Sequence, residues 1–191
     1  MPDINQLASD VRQCTLCRDA LEHGVRPIIQ LSSSAKILIA GQAPGSKVHA
    51  SGVPFDDASG DRLRDWMGVD KATFYNAQQI AILPMGFCYP GKGKSGDLAP
   101  LAICAKTWRT KLLEAMPLIQ LTVIIGQYAL EWHLPDRKKN LTETVEAWSA
   151  YPDNLLALPH PSPRNNIWLK KNAWFEEDVL PVLKRRVLSA L

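Results

Sequence analysis

Four short runs rich in Ile, Val and Leu constrain this chain most: Lys36-Ile37-Leu38-Ile39-Ala40, Gln79-Ile80-Ala81-Ile82-Leu83, Leu121-Thr122-Val123-Ile124-Ile125 and Asn154-Leu155-Leu156-Ala157-Leu158. Each is short for a helix and apolar at consecutive positions, as a strand buried on both faces requires. Helix-like stretches lie between and around them, at about 4–12, 59–68, 98–115, 127–133 and 169–188, and strands alternating with helices predict parallel pairing. The expected fold is α/β, with a central, mostly parallel four-stranded sheet flanked by helices in three α/β/α layers. At 191 residues the length suits one core of ordinary size, so residues 1–191 are read as a single domain.

Three of the strands run straight into loops of unusual composition: Gly41-Gln42-Ala43-Pro44-Gly45, the stretch from Pro84 to Gly96, and Pro159-His160-Pro161-Ser162-Pro163-Arg164-Asn165. In open α/β sheets ligands bind beyond the carboxyl ends of the strands, so a site is expected where these loops meet.

The four cysteines fall into two pairs, Cys14 with Cys17 and Cys88 with Cys104. A Cys-x-x-Cys turn lets two thiolates converge on one centre, and the second pair can close the coordination. Four thiolates suit zinc and a [4Fe-4S] cluster alike. The N-terminus has no basic stretch followed by an apolar one, and no segment approaches the roughly 18 uninterrupted apolar residues of a membrane span. A cytoplasmic monomer with no membrane association is therefore expected, in a compartment where structural disulfides are disfavoured. The balance of 22 Lys+Arg against 19 Asp+Glu, a net charge of +3, is compatible with nucleic acid without demanding it.

The segment from Gly41 to Gly45, followed by Gly52-Val53-Pro54-Phe55 and Asp57-Ala58-Ser59-Gly60-Asp61, resembles the first active-site motif of the iron-sulfur uracil-DNA glycosylases, families 4 and 5. His160-Pro161-Ser162-Pro163-Arg164-Asn165 resembles the second motif of the superfamily, as it stands in family 5 and the single-strand-selective branch. The cysteine spacing is similar to that of the cluster ligands in families 4 and 5. The likeness runs from about residue 14 to about residue 170. It implies a uracil-DNA glycosylase fold, action on DNA containing a damaged base, and a structural [4Fe-4S] cluster on Cys14, Cys17, Cys88 and Cys104, with zinc the lesser alternative. The chain departs from the pattern at Gln42, where family 4 carries glutamate, at Ala43, where other branches carry an acidic or amide residue, and at Pro84, where an asparagine typically reads uracil.

A glycosylase extrudes the target nucleotide, seats the base in a pocket and cleaves a bond whose sugar becomes cation-like. His160 is the candidate donor to the leaving base, and Phe55 offers a face for stacking. Asp57 can activate water or serve equally as a helix N-cap, with Asp61 a weaker alternative, while Gln42 can position water but not take its proton. Gly41, Pro44 and Gly45 suit a tight turn whose backbone N–H groups face a water or a phosphate, and Gly41, Ala43 and Pro44 are expected to line the base. Ser162 and Arg164 are placed to grip phosphates, with Lys170 and Lys171 extending the footprint. The motif positions hold no Schiff-base lysine, so the expected enzyme is monofunctional, releasing uracil first and hypoxanthine second. The alternatives are a cluster-bearing DNA-binding homologue with weak or no catalysis and, further off, a small redox or zinc protein unrelated to DNA.

Overall fold

The computed structural model describes residues 3–191. Its strands are β1 (Ile37–Ala40), β2 (Ile80–Ile82), β3 (Leu121–Ile125) and β4 (Leu155–Leu158), in spatial order β2-β1-β3-β4 and parallel throughout. The expected four-stranded parallel sheet is present, and its register explains the continuous apolar runs. Ile37 and Ile39 of β1, with Ile80 and Ile82 of β2, enter one core layer, while Leu38 and Ala81 enter the opposite one. Side chains alternate between faces with period two, so a strand covered on both faces is apolar at every position.

Helices α1 (Ile4–Arg12) and α5 (Ala102–Glu114) cover the second face. The first is covered by α3 (Ala58–Met67), α6 (Gln127–His133) and α9 (Leu180–Ala190). Shorter helices are α2 (Ser46–Ser51), α4 (Lys71–Phe74), α7 (Leu141–Glu146) and α8 (Asn166–Lys171). Among the described residues no helix is long and apolar enough to cross a membrane.

Two helix expectations need correction. The stretch at 98–115 becomes helical only at Ala102, because Leu98 donates its N–H to Gly91 and closes a hairpin, and Pro100 disfavours helical geometry in the residue before it. The stretch at 169–188 is three pieces rather than one. Helix α8 stops where Asn172 turns its side-chain amide back onto the Trp168 carbonyl at 2.8 Å. A π-turn at Phe175–Val179 then precedes α9. Pro181 lacks the N–H that would bond four residues back, which opens the ladder at that point. Trp168 and Trp174 pack edge to face around Phe175, a packing role.

A buried cation fixes the end of β2. Arg109, fully buried in α5, donates to the carbonyls of Leu83 (3.1 Å) and Pro84 (3.0 Å), and a guanidinium nitrogen lies 2.7 Å from His133 Nε2. Among the described residues no carboxylate lies within ion-pair distance of it. Burial and the neighbouring guanidinium hold His133 down at about 3, so its imidazole is neutral and Nε2 can accept. Arg109→Met removes the donor from two buried carbonyls and should lower the unfolding free energy by about 3 kcal/mol, since each unsatisfied buried group costs roughly 1–3. Equilibrium urea denaturation measures this, and an unchanged midpoint would show that the carbonyls find other donors.

Candidate functional site

The loops leaving β1, β2 and β4 meet at the carboxyl edge of the sheet and enclose a pocket of about 560 Å³. Gly41, Gln42, Ala43 and Pro44 form one wall, Phe55 and Asp57 another, and His160, Ser162 and Arg164 close it from the β4 side. These nine motif residues, and Gly45 with them, line one cavity although more than one hundred positions separate Gln42 from His160, while Asp61 does not line it. Backbone hydrogen bonds join the first wall to the loop after β2: Met85 N–H donates to Gly41 at 2.9 Å and Gly86 N–H to Gln42 at 2.9 Å. Pro84, whose carbonyl Arg109 holds, also lines the cavity.

His160 sits in a stiffened loop. Its carbonyl accepts from the Asn165 side chain at 2.8 Å, and Ser162 Oγ accepts from the N–H of Arg164 at 3.2 Å. The ring is oriented by the backbone N–H of Ser162, which donates to Nδ1 at 3.2 Å. An accepting Nδ1 carries no proton, so the neutral ring bears its hydrogen on Nε2. Burial lowers the His160 pKa from its ordinary value, with Asp57 and Asp97 opposing and Arg164 reinforcing the shift. A neutral imidazole with an Nε2–H donor is therefore the form present at neutral pH.

Phe55 has an unusual backbone, with φ of +54°, in the left-handed region that non-glycine residues rarely adopt. Its carbonyl accepts from Arg64 Nη1 and from the Tyr75 hydroxyl, each at 3.4 Å. Its ring meets Phe74 edge to face at 6.1 Å between centroids. Arg64 is buried, pairs with Asp61 at 2.6 Å, and lies over the Phe74 ring. Asp61 thus serves to anchor Arg64. Asp57 caps α3, its Oδ1 accepting from Gly60 N–H at 2.9 Å, so the capping role weighed against catalysis is present.

Several site residues carried no motif. Arg62 donates to the Ser162 carbonyl at 3.1 Å and to Asn166 Oδ1 at 2.8 Å, binding the His160 loop to α3. Asp97, Ser46 and Lys47 line the pocket as well. Lys170 and Lys171 lie exposed at the end of α8 and do not line it, so the structure leaves them outside the cavity.

The cysteines belong to a separate neighbourhood. Cys14 and Cys17 follow α1, Cys88 lies in the loop after β2, and Cys104 is in the first turn of α5. All four are free thiols, partly buried. Burial pushes Cys88 up to about 11 and Cys104 to about 12, and the charges of Cys14 and Cys17 push both in the same direction. The backbone N–H groups of Arg26 and Phe87 hydrogen-bond to Cys88 and Cys104 respectively and oppose that rise. The four sulfurs therefore share one electrostatic environment. Among the described residues, however, no three Cys, His, Asp or Glu side chains are arranged to hold a single metal ion.

The pocket at the carboxyl ends of parallel strands, with its oriented histidine and partly buried aromatic, agrees with a comparison against known families. The family model described as Uracil DNA glycosylase superfamily covers residues 29–184. That span includes all four strands and both motif loops, and this chain belongs to the Uracil DNA glycosylase superfamily.

Proposed function

We propose that the protein is a monofunctional DNA glycosylase that hydrolyses the N-glycosidic bond of uracil in DNA, with hypoxanthine as the second base it releases. Membership of the superfamily supports glycosylase chemistry on DNA. The observation that carries the reading further is the neutral His160 ring, fixed with its proton on Nε2 in a cavity that Phe55 also lines. As the bond between base and sugar breaks, the electron pair leaves with the base, and a preorganised donor at the base oxygen is worth about 2.7–4 kcal/mol. Phe55 stacks the extruded base, a contact worth about 1–3 kcal/mol. Ser162 and Arg164, at the pocket mouth, hold the flanking phosphates.

Single-turnover incubation with labelled oligonucleotides containing uracil, hypoxanthine or xanthine, single- and double-stranded, tests the reading. Alkali-labile sites should appear with uracil first. Binding without release from any substrate would favour the catalytically silent homologue, which the residues Gln42 and Ala43 motivate.

We also propose that the four cysteines hold a [4Fe-4S] cluster. The donor set fits: four gathered thiols resist ionising together unless a cationic centre compensates them, and two backbone N–H groups face the sulfurs. The cluster's role would be structural, tying the turn after α1, the loop after β2 and the start of α5 into one unit beside the pocket. Anaerobically purified protein should absorb near about 400 nm, as thiolate-bound iron does. Cys88→Ser should lose that absorbance and melt at a lower temperature. A colourless protein with one zinc per chain would decide for zinc.

A further inference from the structure

We propose that Asp97 is the carboxylate that accepts the proton of the attacking water. The inference rests on the glycosylase reading and supplies what that reading lacks. Neither Gln42 nor Ala43 can take a proton, and Asp57 has an oxygen committed to Gly60 N–H as a helix cap. Besides Asp57, Asp97 is the carboxylate that lines the pocket among the described residues, and it comes from outside both motifs.

A tight hairpin delivers it there. Gly93 N–H bonds to the Gly96 carbonyl at 2.6 Å, Lys92 pairs with Asp97 in an antiparallel bridge, and Leu98 N–H bonds to Gly91 at 2.9 Å. Gly96 takes a φ of +153°, so the turn folds back over the first motif. There Asp97 Oδ2 packs against Gly45, 3.6 Å from where a Cβ on that glycine would stand. On the other side Arg164 Nη1 approaches Gly96, at 3.4 Å from its notional Cβ, so the hairpin bridges the two motif loops. The Asp97 carboxylate has no side-chain hydrogen bond or ion pair among the described residues and acts electrostatically on His160. An unengaged acceptor in the same cavity as the leaving-group donor is what hydrolysis with water requires.

The step balances. The bond from C1′ to the base nitrogen breaks with its electron pair going to the base, stabilised by His160 Nε2–H. Water oxygen bonds to C1′, and its proton passes to the Asp97 carboxylate and from there to solvent or the departing base. Before bond formation the same carboxylate faces the cation-like sugar.

Asp97 is exposed, so Asp97→Asn, which keeps shape and removes basicity, leaves the fold intact. The single-turnover rate of uracil release should fall at least about 100-fold, with the dissociation constant for uracil-containing DNA little changed. The His160 imidazole, titrated by NMR, should shift to a lower midpoint when the opposing carboxylate is lost. A variant that releases base at the wild-type rate, or whose loss is matched by lost DNA affinity, overturns the assignment, as does an unmoved His160 midpoint. Wild-type release tests the parent reading separately, and wild type that releases nothing overturns both.

Discussion

Replacing His160 by alanine should lower single-turnover base release by about 100- to 1,000-fold, the loss expected for one preorganised donor at a developing anion. DNA binding should survive, because Ser162 and Arg164 remain and the loop keeps its ties through Arg62 and Asn165. The pH dependence distinguishes this role from that of a general acid. A cationic imidazole acting as an acid would lose its active form as pH rises through its pKa. Here burial lowers the His160 pKa, and Ser162 N–H occupies Nδ1, so the active form is neutral. Wild-type release should stay level as pH falls through about 6.5, the ordinary histidine value, and decline only below it. Release that instead fell away as pH rose from 5 to 7 would assign the work to the imidazolium. An alanine variant as fast as wild type would remove His160 from the reaction.

The site was legible in the sequence where function places unusual residues at strand ends. The two motif loops were placed by the apolar runs that precede them, and the register of β1, β2 and β4 then brings the loops together. What escaped was the set of residues that work through folding back. Asp97 reaches the pocket by way of a hairpin closed by Gly93 and Gly96, and only the glycine spacing hinted at such a turn. Arg62 has the composition of any exposed helical arginine. Arg109 left a clearer mark: Ala105, Arg109 and Leu112 share the buried stripe of α5, and a charge at that spacing signals an internal anchor. The long C-terminal helix was misread because apolar periodicity persists across Asn172 and Pro181, although each breaks the backbone ladder.

The same three-dimensional logic explains why Gln42 and Ala43 do not settle the question of activity. Sequence motifs compare residues at matching positions, whereas a reacting centre needs a group at a place in space. Chain from a third loop can stand over Gly45 and bring a carboxylate to the cavity that neither Gln42 nor Ala43 provides. Pro84 is a different matter, since its fixed ring and Arg109-held carbonyl define a wall that has no side-chain amide to read uracil.

The position of Phe55 depends on a glycine five residues later. A Cβ on Gly60 would stand 1.7 Å from the Phe55 carbonyl oxygen, 2.7 Å from its carbonyl carbon and 2.8 Å from its Cβ. Two of those atoms are backbone, so no rotamer change relieves the contact. Phe55 already carries a left-handed φ, a conformation costing about 1–3 kcal/mol that persists only where its surroundings enforce it. Gly60→Ala should therefore force the Phe55 carbonyl away from Arg64 and Tyr75 and carry the ring off Gly41, which it now approaches to 3.5 Å from the notional Cβ. A stability loss of about 3 kcal/mol is expected, at the upper end for overpacking, with base release falling at least about 100-fold as the cavity loses its aromatic wall. The double variant Gly60→Ala with Phe55→Gly separates the two effects. Glycine at 55 adopts whatever φ the new methyl demands, so stability should recover in part, while release stays low because no ring remains to stack. Gly60→Ala protein with wild-type stability would show that Phe55 has a second, unstrained way to sit beside α3. Recovery of release in the double variant would show that the ring is dispensable to the pocket.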